Sequence, residues 1–207
     1  MKLVSKVFLI VAFVFTGHFA AQAQLSFGGR VGVNLASVSG EDDNSDSKLG
    51  LDIAAVIVLP VSETFFIQPE VHFLQKGGKE EDGFSGQEIK STLNYIQIPI
   101  LAKYVFGDQE TLGFYVLGGP SIGLGVGVKT AVGDNDATGS FEDAGFKAFD
   151  FGVDLGVGVL VPAGPGTFFI DVRYLLGLSN INDLEFGGDI NNRGINFGVG
   201  FLAAIGG

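Results

Sequence analysis

The chain contains no cysteine, which excludes a disulfide framework, a thiolate metal site and a cysteine nucleophile. Tryptophan is also absent, and proline is held to six residues. Cations are scarce, with 12 lysines and arginines against 23 acids and a formal charge of −11. A nucleic-acid partner needs a basic face, so that balance argues for no nucleic acid. Long apolar runs are missing too: past the first two dozen residues, none approaches the length of a membrane-crossing helix. Yet the mean hydropathy is +0.40. A hydrophobic chain without hydrophobic helices must distribute its apolar residues by alternation along strands.

The N-terminus is read separately. Lys2 and Lys6 make a basic start, Val7 to Phe15 is apolar throughout, and Ala21-Gln22-Ala23 has the small-x-small pattern of a signal-peptidase site. Residues 1–23 are therefore expected to be a cleaved signal peptide. The apolar run is short for a membrane anchor. Residues 24–207 are then one domain, with the charge moved to −13 and His72 its single histidine.

Within that domain period-two alternation dominates, most cleanly over residues 147–161. Phe149, Phe151, Val153, Leu155, Val157, Val159 and Val161 make one face, while Asp150, Gly152, Asp154, Gly156 and Gly158 make the other. The same pattern recurs over residues 25–38, 49–61, 64–76, 92–106, 112–128, 167–178 and 194–205, which predicts eight strands. On the fifth of these the apolar face is expected to run from Leu112 to Val128 at even positions. The connections alternate in length. Residues 40–48, 77–91, 130–145 and 179–193 are long; 60–63, 107–111 and 162–166 are short. Long and short loops therefore fall at opposite ends of the sheet, as in outer-membrane barrels with short periplasmic turns.

The two faces say which side meets lipid. The non-apolar face is mostly glycine and serine, too poor in charge for a solvated sheet surface. A soluble barrel or sandwich is the competing reading and would need that face outside. Phe27, Phe65, Phe106, Phe114 and Phe168 all stand beside the short-turn end and suggest an aromatic girdle. The prediction is an all-β fold: an eight-stranded antiparallel up-and-down transmembrane β-barrel in the bacterial outer membrane, with both termini periplasmic.

Arg30, Asp52, Glu70, His72, Lys103, Asp150, Asp154, Asp171 and Arg173 then point into a lumen that side chains fill. Confined charges must pair, so Arg30, Lys103 and Arg173 are expected to meet the five carboxylates in a structural network. A narrow gate is the alternative. Catalysis is not expected: Glu70 lies near His72, but no G-x-S-x-G elbow supplies a serine. No cofactor or metal is expected either. The acidic runs Glu41 to Asp46 and Gly133 to Asp136 offer oxygen ligands to calcium without EF-hand spacing. The glycines between Gly118 and Gly127 lie within a strand and relieve crowding on a curved wall.

Several short motifs follow one another in a recognisable order. They are Gly29-Arg30-Val31-Gly32-Val33-Asn34-Leu35, Gln68-Pro69-Glu70 running to Gln75-Lys76-Gly77-Gly78, and Tyr95-Ile96-Gln97-Ile98-Pro99 before Lys103-Tyr104. Gly118-Gly119-Pro120, Asp171-Val172-Arg173-Tyr174 with Gly177-Leu178, and Asn192-Arg193-Gly194-Ile195 complete the series. Together they resemble the PorT-like, porin-family outer-membrane β-barrel domains across nearly the whole domain. The resemblance implies a barrel whose partners are outer-membrane lipid, the outer-membrane assembly machinery and, for the family's namesake, a protein-secretion system. It carries over no catalytic residue. Phe201 stands near the end of the chain, where such barrels commonly carry a terminal aromatic. The expected role is a non-enzymatic, monomeric envelope or surface-binding protein acting through its long loops. A narrow pore, a secretion accessory and a lipid-modifying enzyme are the alternatives.

Overall fold

In the computed structural model of the chain the described residues are 25–40, 46–81, 86–108, 110–133, 135–184 and 188–205. The expected signal peptide lies outside them, as do most of the acidic run from Glu41 and Asp134.

The described residues form nine strands and no helix: β1 (Leu25–Ser39), β2 (Lys48–Pro60), β3 (Phe65–Glu81), β4 (Glu88–Asp108), β5 (Leu112–Val132), β6 (Asn135–Gly139), β7 (Phe149–Ala163), β8 (Gly166–Gly177) and β9 (Asn191–Ile205). Every pairing is antiparallel, and eight of the strands close on themselves in the order β1-β2-β3-β4-β5-β7-β8-β9. The seam is the β1–β9 pair, in register from Leu25 opposite Ile205 to Ser39 opposite Asn191. The wall is thus a closed eight-stranded up-and-down barrel.

Alternation decides which way the wall faces. Along β2 the odd positions Leu49, Leu51, Ile53 and Ile57 are exposed, while Lys48, Asp52, Ala54 and Val56 are buried. The same inversion holds around the barrel, with Val31, Ile100, Leu155, Ile170 and Val199 exposed and Arg30, Lys103, Asp154, Asp171 and Asn196 buried. A water-soluble domain does not expose a continuous apolar girdle while burying its charges. The short-turn end of this belt carries the expected phenylalanines. Tyr104, Phe106 and Phe114 stack in sequence at 6.3 and 6.0 Å, and Phe168 packs on Phe201 at 4.8 Å.

The structure departs from the sequence expectation in three places. The loop expected over residues 77–91 is mostly sheet, because β3 and β4 continue pairing out to Glu81 opposite Glu88. Inside the loop expected over residues 130–145 lies β6, which pairs only with the outer end of β5. These polar extensions lack the apolar alternation that marks a half-buried strand, so they read as loop. Third, Val128 faces inward and is 2 % exposed, although even parity on β5 put it outside. The cause is a β-bulge: Asn94 pairs with Gly127 but Tyr95 with Gly125, so Val126 is an extra residue that reverses the phase beyond it.

The outward face predicts the response to charge. Ile100→Arg, near the middle of the belt on β4, should lower unfolding free energy in lipid vesicles by about 2–4 kcal/mol. A change below about 0.5 kcal/mol would place that face in water.

Candidate functional site

The barrel interior is built in layers, because each strand contributes inward residues at successive heights. Toward the short turns Val56, Val58, Leu101, Val105, Leu117, Phe169 and Leu202 pack into an apolar core. Toward the long loops a second core forms around Leu93, Tyr95 and Val128, closed over by Phe141 and Ile181 from the connections beyond β6 and β8. The charged ring lies between these two apolar layers.

The central layer is a closed ring of alternating charge. Arg30 on β1 donates to Asp171 on β8 at 2.5 and 3.0 Å. Asp171 accepts from Arg173 at 2.7 and 3.0 Å. Arg173 reaches across to Glu70 on β3 with a two-pronged contact at 2.6 and 3.1 Å. Glu70 meets His72 Nε2 at 2.5 Å, and His72 Nδ1 meets Asp52 on β2 at 2.7 Å. Asp52 closes the ring on the Arg30 guanidinium. His72 therefore presents both ring nitrogens to carboxylate oxygens, and both contacts are hydrogen bonds only when each nitrogen carries a proton. The ring then holds three cations and three anions. Neutral groups take up the remaining capacity: Asn196 bonds both Arg30 and Asp52, Gln68 donates to Glu70, and the Tyr115 hydroxyl donates to Asp171.

Two smaller clusters flank the ring. Lys76 donates to Asp150 at 2.9 Å, and Asp150 also accepts from Ser179 and Asn192. Asp154 accepts from Gln97 and Ser121, each at 2.9 Å, and meets no cation among the described residues. A cavity of about 10 Å³ lies beside Asn34, Lys76, Ser121, Asp154 and Asn192. That is space on the scale of one water molecule.

Of the nine residues expected in the lumen, all are buried there. Six make the ring, and Asp150 and Asp154 belong to the flanking clusters. Lys103 departs from the expected pairing with a carboxylate. Its ammonium sits 4.1 Å from the centre of the Tyr115 ring, and it forms no ion pair among the described residues. Lys103 enters from β4 beside the ring, over the Tyr115 whose hydroxyl bonds Asp171. Lys48 and Lys76 are inward cations outside the expected set. The predicted strand ends at Lys76, whose parity with Glu70 and His72 points inward.

Glycine on the inner face leaves room for the ring. A Cβ at Gly198 would stand 2.1 Å from Arg30 Cζ, and one at Gly158 would stand 2.4 Å from Tyr115 Cζ. Both glycines sit where a neighbouring strand sends a large side chain across the wall.

The fold matches known structures. The sequence profile described as "Outer membrane protein beta-barrel domain" matches residues 20–183. Among solved structures, Neisserial surface protein A has a TM-score of 0.55 at 14% identity, covering 88% of this chain and 98% of that one. The attachment invasion locus protein Ail of Yersinia pestis has a TM-score of 0.41 at 16% identity, covering 87% and 99%. The N-terminal β-barrel domain of Pseudomonas aeruginosa OprF has 0.41 at 14%, also covering 87% and 99%. Comparison by sequence with curated proteins returns no match.

The ring predicts an asymmetry between its members and Lys103. Asp171→Leu strands Arg30 and Arg173 without their shared carboxylate and should cost about 3–5 kcal/mol. Lys103→Met, which breaks no ion pair, should cost under about 1.5 kcal/mol. Equilibrium unfolding of the two variants in the same vesicles tests this, and equal costs would show that the ring has no special standing.

Proposed function

The chain belongs to the outer-membrane protein β-barrel domain family, and on that premise we propose that it is a sealed, non-enzymatic envelope barrel. Its family places it in the bacterial outer membrane. Its wall serves to hold the long-loop end, with the projecting β3–β6 sheet, on the cell surface. In this reading the short turns and both termini are periplasmic, residues 1–23 are removed on export, and the barrel works as a monomer after insertion by the outer-membrane assembly machinery. The projecting sheet and loops are the part available to bind surface partners.

One observation carries the proposal: the charged layer lies between two apolar cores, the outer one closed by Phe141 and Ile181. An ion crossing such a lumen would have to displace packed side chains at both ends and break the alternating ring between them. The ring supports rigidity rather than conduction, since buried charge pairs are costly to separate. His72 has both nitrogens committed to Asp52 and Glu70, and the buried Ser121 hydroxyl donates to Asp154. That arrangement supports a structural histidine over a catalytic one, and with it the absence of lipid-modifying chemistry.

The resemblance of the strand motifs to PorT-like barrels supports a second reading, an accessory part of a protein-secretion system. The sealed wall would then act as a scaffold, and recovery of secretion components with the detergent-solubilised barrel would distinguish it from a free-standing surface protein.

Planar-bilayer recording on refolded protein tests the sealed lumen. The expected record has no steady conductance, and a stable open level in the unmodified chain would overturn the proposal. Arg173→Ala, which removes a ring cation, should lower the unfolding midpoint or introduce current noise.

A further inference from the structure

On the long-loop side of the ring lies the small cavity of about 10 Å³. Its polar lining comes from five strands: Asn34 of β1, Lys76 of β3, Ser121 of β5, Asp154 of β7 and Asn192 of β9. All five side chains are more than nine-tenths buried. Gly152 and Gly177, directly paired in register, leave the room for it. A Cβ on either would stand 2.6 Å from a backbone oxygen of a neighbouring strand. Asn192 reaches to the Tyr95 hydroxyl at 3.5 Å, which sets the cavity under the outer apolar core.

Two acceptors at this place have no donor. Asn34 Oδ1 and Asn192 Oδ1 are buried and accept no hydrogen bond from any described residue. Turning the amides over does not help, because each Nδ2 is already committed. Asn34 donates to the Gln75 backbone carbonyl at 3.0 Å, and Asn192 donates to Asp150 at 2.9 Å. A flip would set oxygen against oxygen in both places. Gln68 and Gln97 also carry amide oxygens without a donor, but neither residue lines the cavity.

Lys76 carries the matching donors. Its ammonium has three protons, of which Asp150 takes one at 2.9 Å. Neither orphan amide oxygen is close enough to take another. Donor and acceptors therefore border one space without meeting across it, and a buried acceptor left in that condition is costly.

We propose that the cavity binds a single water molecule, which accepts from Lys76 Nζ and donates to Asn34 Oδ1 and Asn192 Oδ1. The volume is that of about one water, and roughly three hydrogen bonds is the usual complement of a buried one. The mixed lining selects water over an ion. A metal cation would sit against the Lys76 ammonium, whereas an anion would sit against two amide oxygens and the Asp154 carboxylate. The water links β3 across the lumen to β1 and β9, the pair that closes the wall. The site rests on the barrel's geometry and not on the sealed reading, so a conductance record and the hydration of this cavity fail independently.

Crystals of the full chain, grown once in sodium chloride and once in rubidium chloride, test the site at a resolution that shows ordered solvent. The expected result is one density peak within about 2.7–3.2 Å of Asn34 Oδ1, Asn192 Oδ1 and Lys76 Nζ. It should carry no anomalous signal in rubidium. Asn34→Leu replaces one acceptor with methyl groups that fill the space, so its crystals should lose the peak while Asp150 and Asp154 keep their places. Absence of the peak in the unmodified chain overturns the proposal, as does a peak that touches neither amide oxygen. A rubidium signal would reassign the cavity to a monovalent cation and overturn it too. An unmoved peak in Asn34→Leu would remove the amide from the site with the same consequence. If that variant fails to fold, judged by heat-modifiable gel mobility, the unmodified chain in the two salts still decides.

Discussion

Hydrocarbon offers no hydrogen bonds to a backbone, so a sheet can cross a membrane only if its first strand pairs with its last. Here that requirement falls on β1 and β9, which meet over the whole length from Leu25–Ile205 to Ser39–Asn191. Closure leaves the wall with two faces and no edge. The outer face must then be apolar, and the inner face must pack whatever polar groups the strands carry inward. The interior layers and the alternating ring follow from a wall that is closed.

The ring solves a problem that closure creates. Arg30, Asp52, Glu70, His72, Asp171 and Arg173 are brought from four strands into a space screened from water, where an unpaired charge would be costly. Alternation around a circuit gives every charge two neighbours of opposite sign. It also ties β1, β2, β3 and β8 together across the lumen, perpendicular to the wall's own hydrogen bonds. The apolar cores at each end keep water from the ring and strengthen its interactions. Glycines 158 and 198 belong to the same design, since a side chain at either place would occupy the volume of Tyr115 or Arg30.

The strands extend well beyond the lipid-facing belt on one side only. At 21 residues each, β4 and β5 are about twice what a tilted strand needs to cross the hydrocarbon, roughly ten residues. Their continuation with β3 and β6 makes a polar sheet above the rim. That projection and the capping residues Phe141 and Ile181 occur at the same end. The two ends of the barrel therefore differ in length and covering, whereas the belt between them is nearly uniform.

The alternation of residues such as Phe149 through Val161 determined the strands, and the contrast between long and short connections determined their up-and-down order. Both are local properties, because side-chain period and loop length are written along the chain. Parity also assigned all nine charged residues to the lumen. What it could not assign was their partners, because ring contacts such as Arg173 with Glu70 join residues that are far apart in sequence and meet only after closure. The position of Lys103 over Tyr115 in place of a carboxylate, the recruitment of Lys76 and the reversal of Val128 by a bulge are of the same kind. The polar outer strands lay beyond reach for a different reason: with water on both faces they need no alternation, so only their backbone pairing in the folded barrel marks them as sheet.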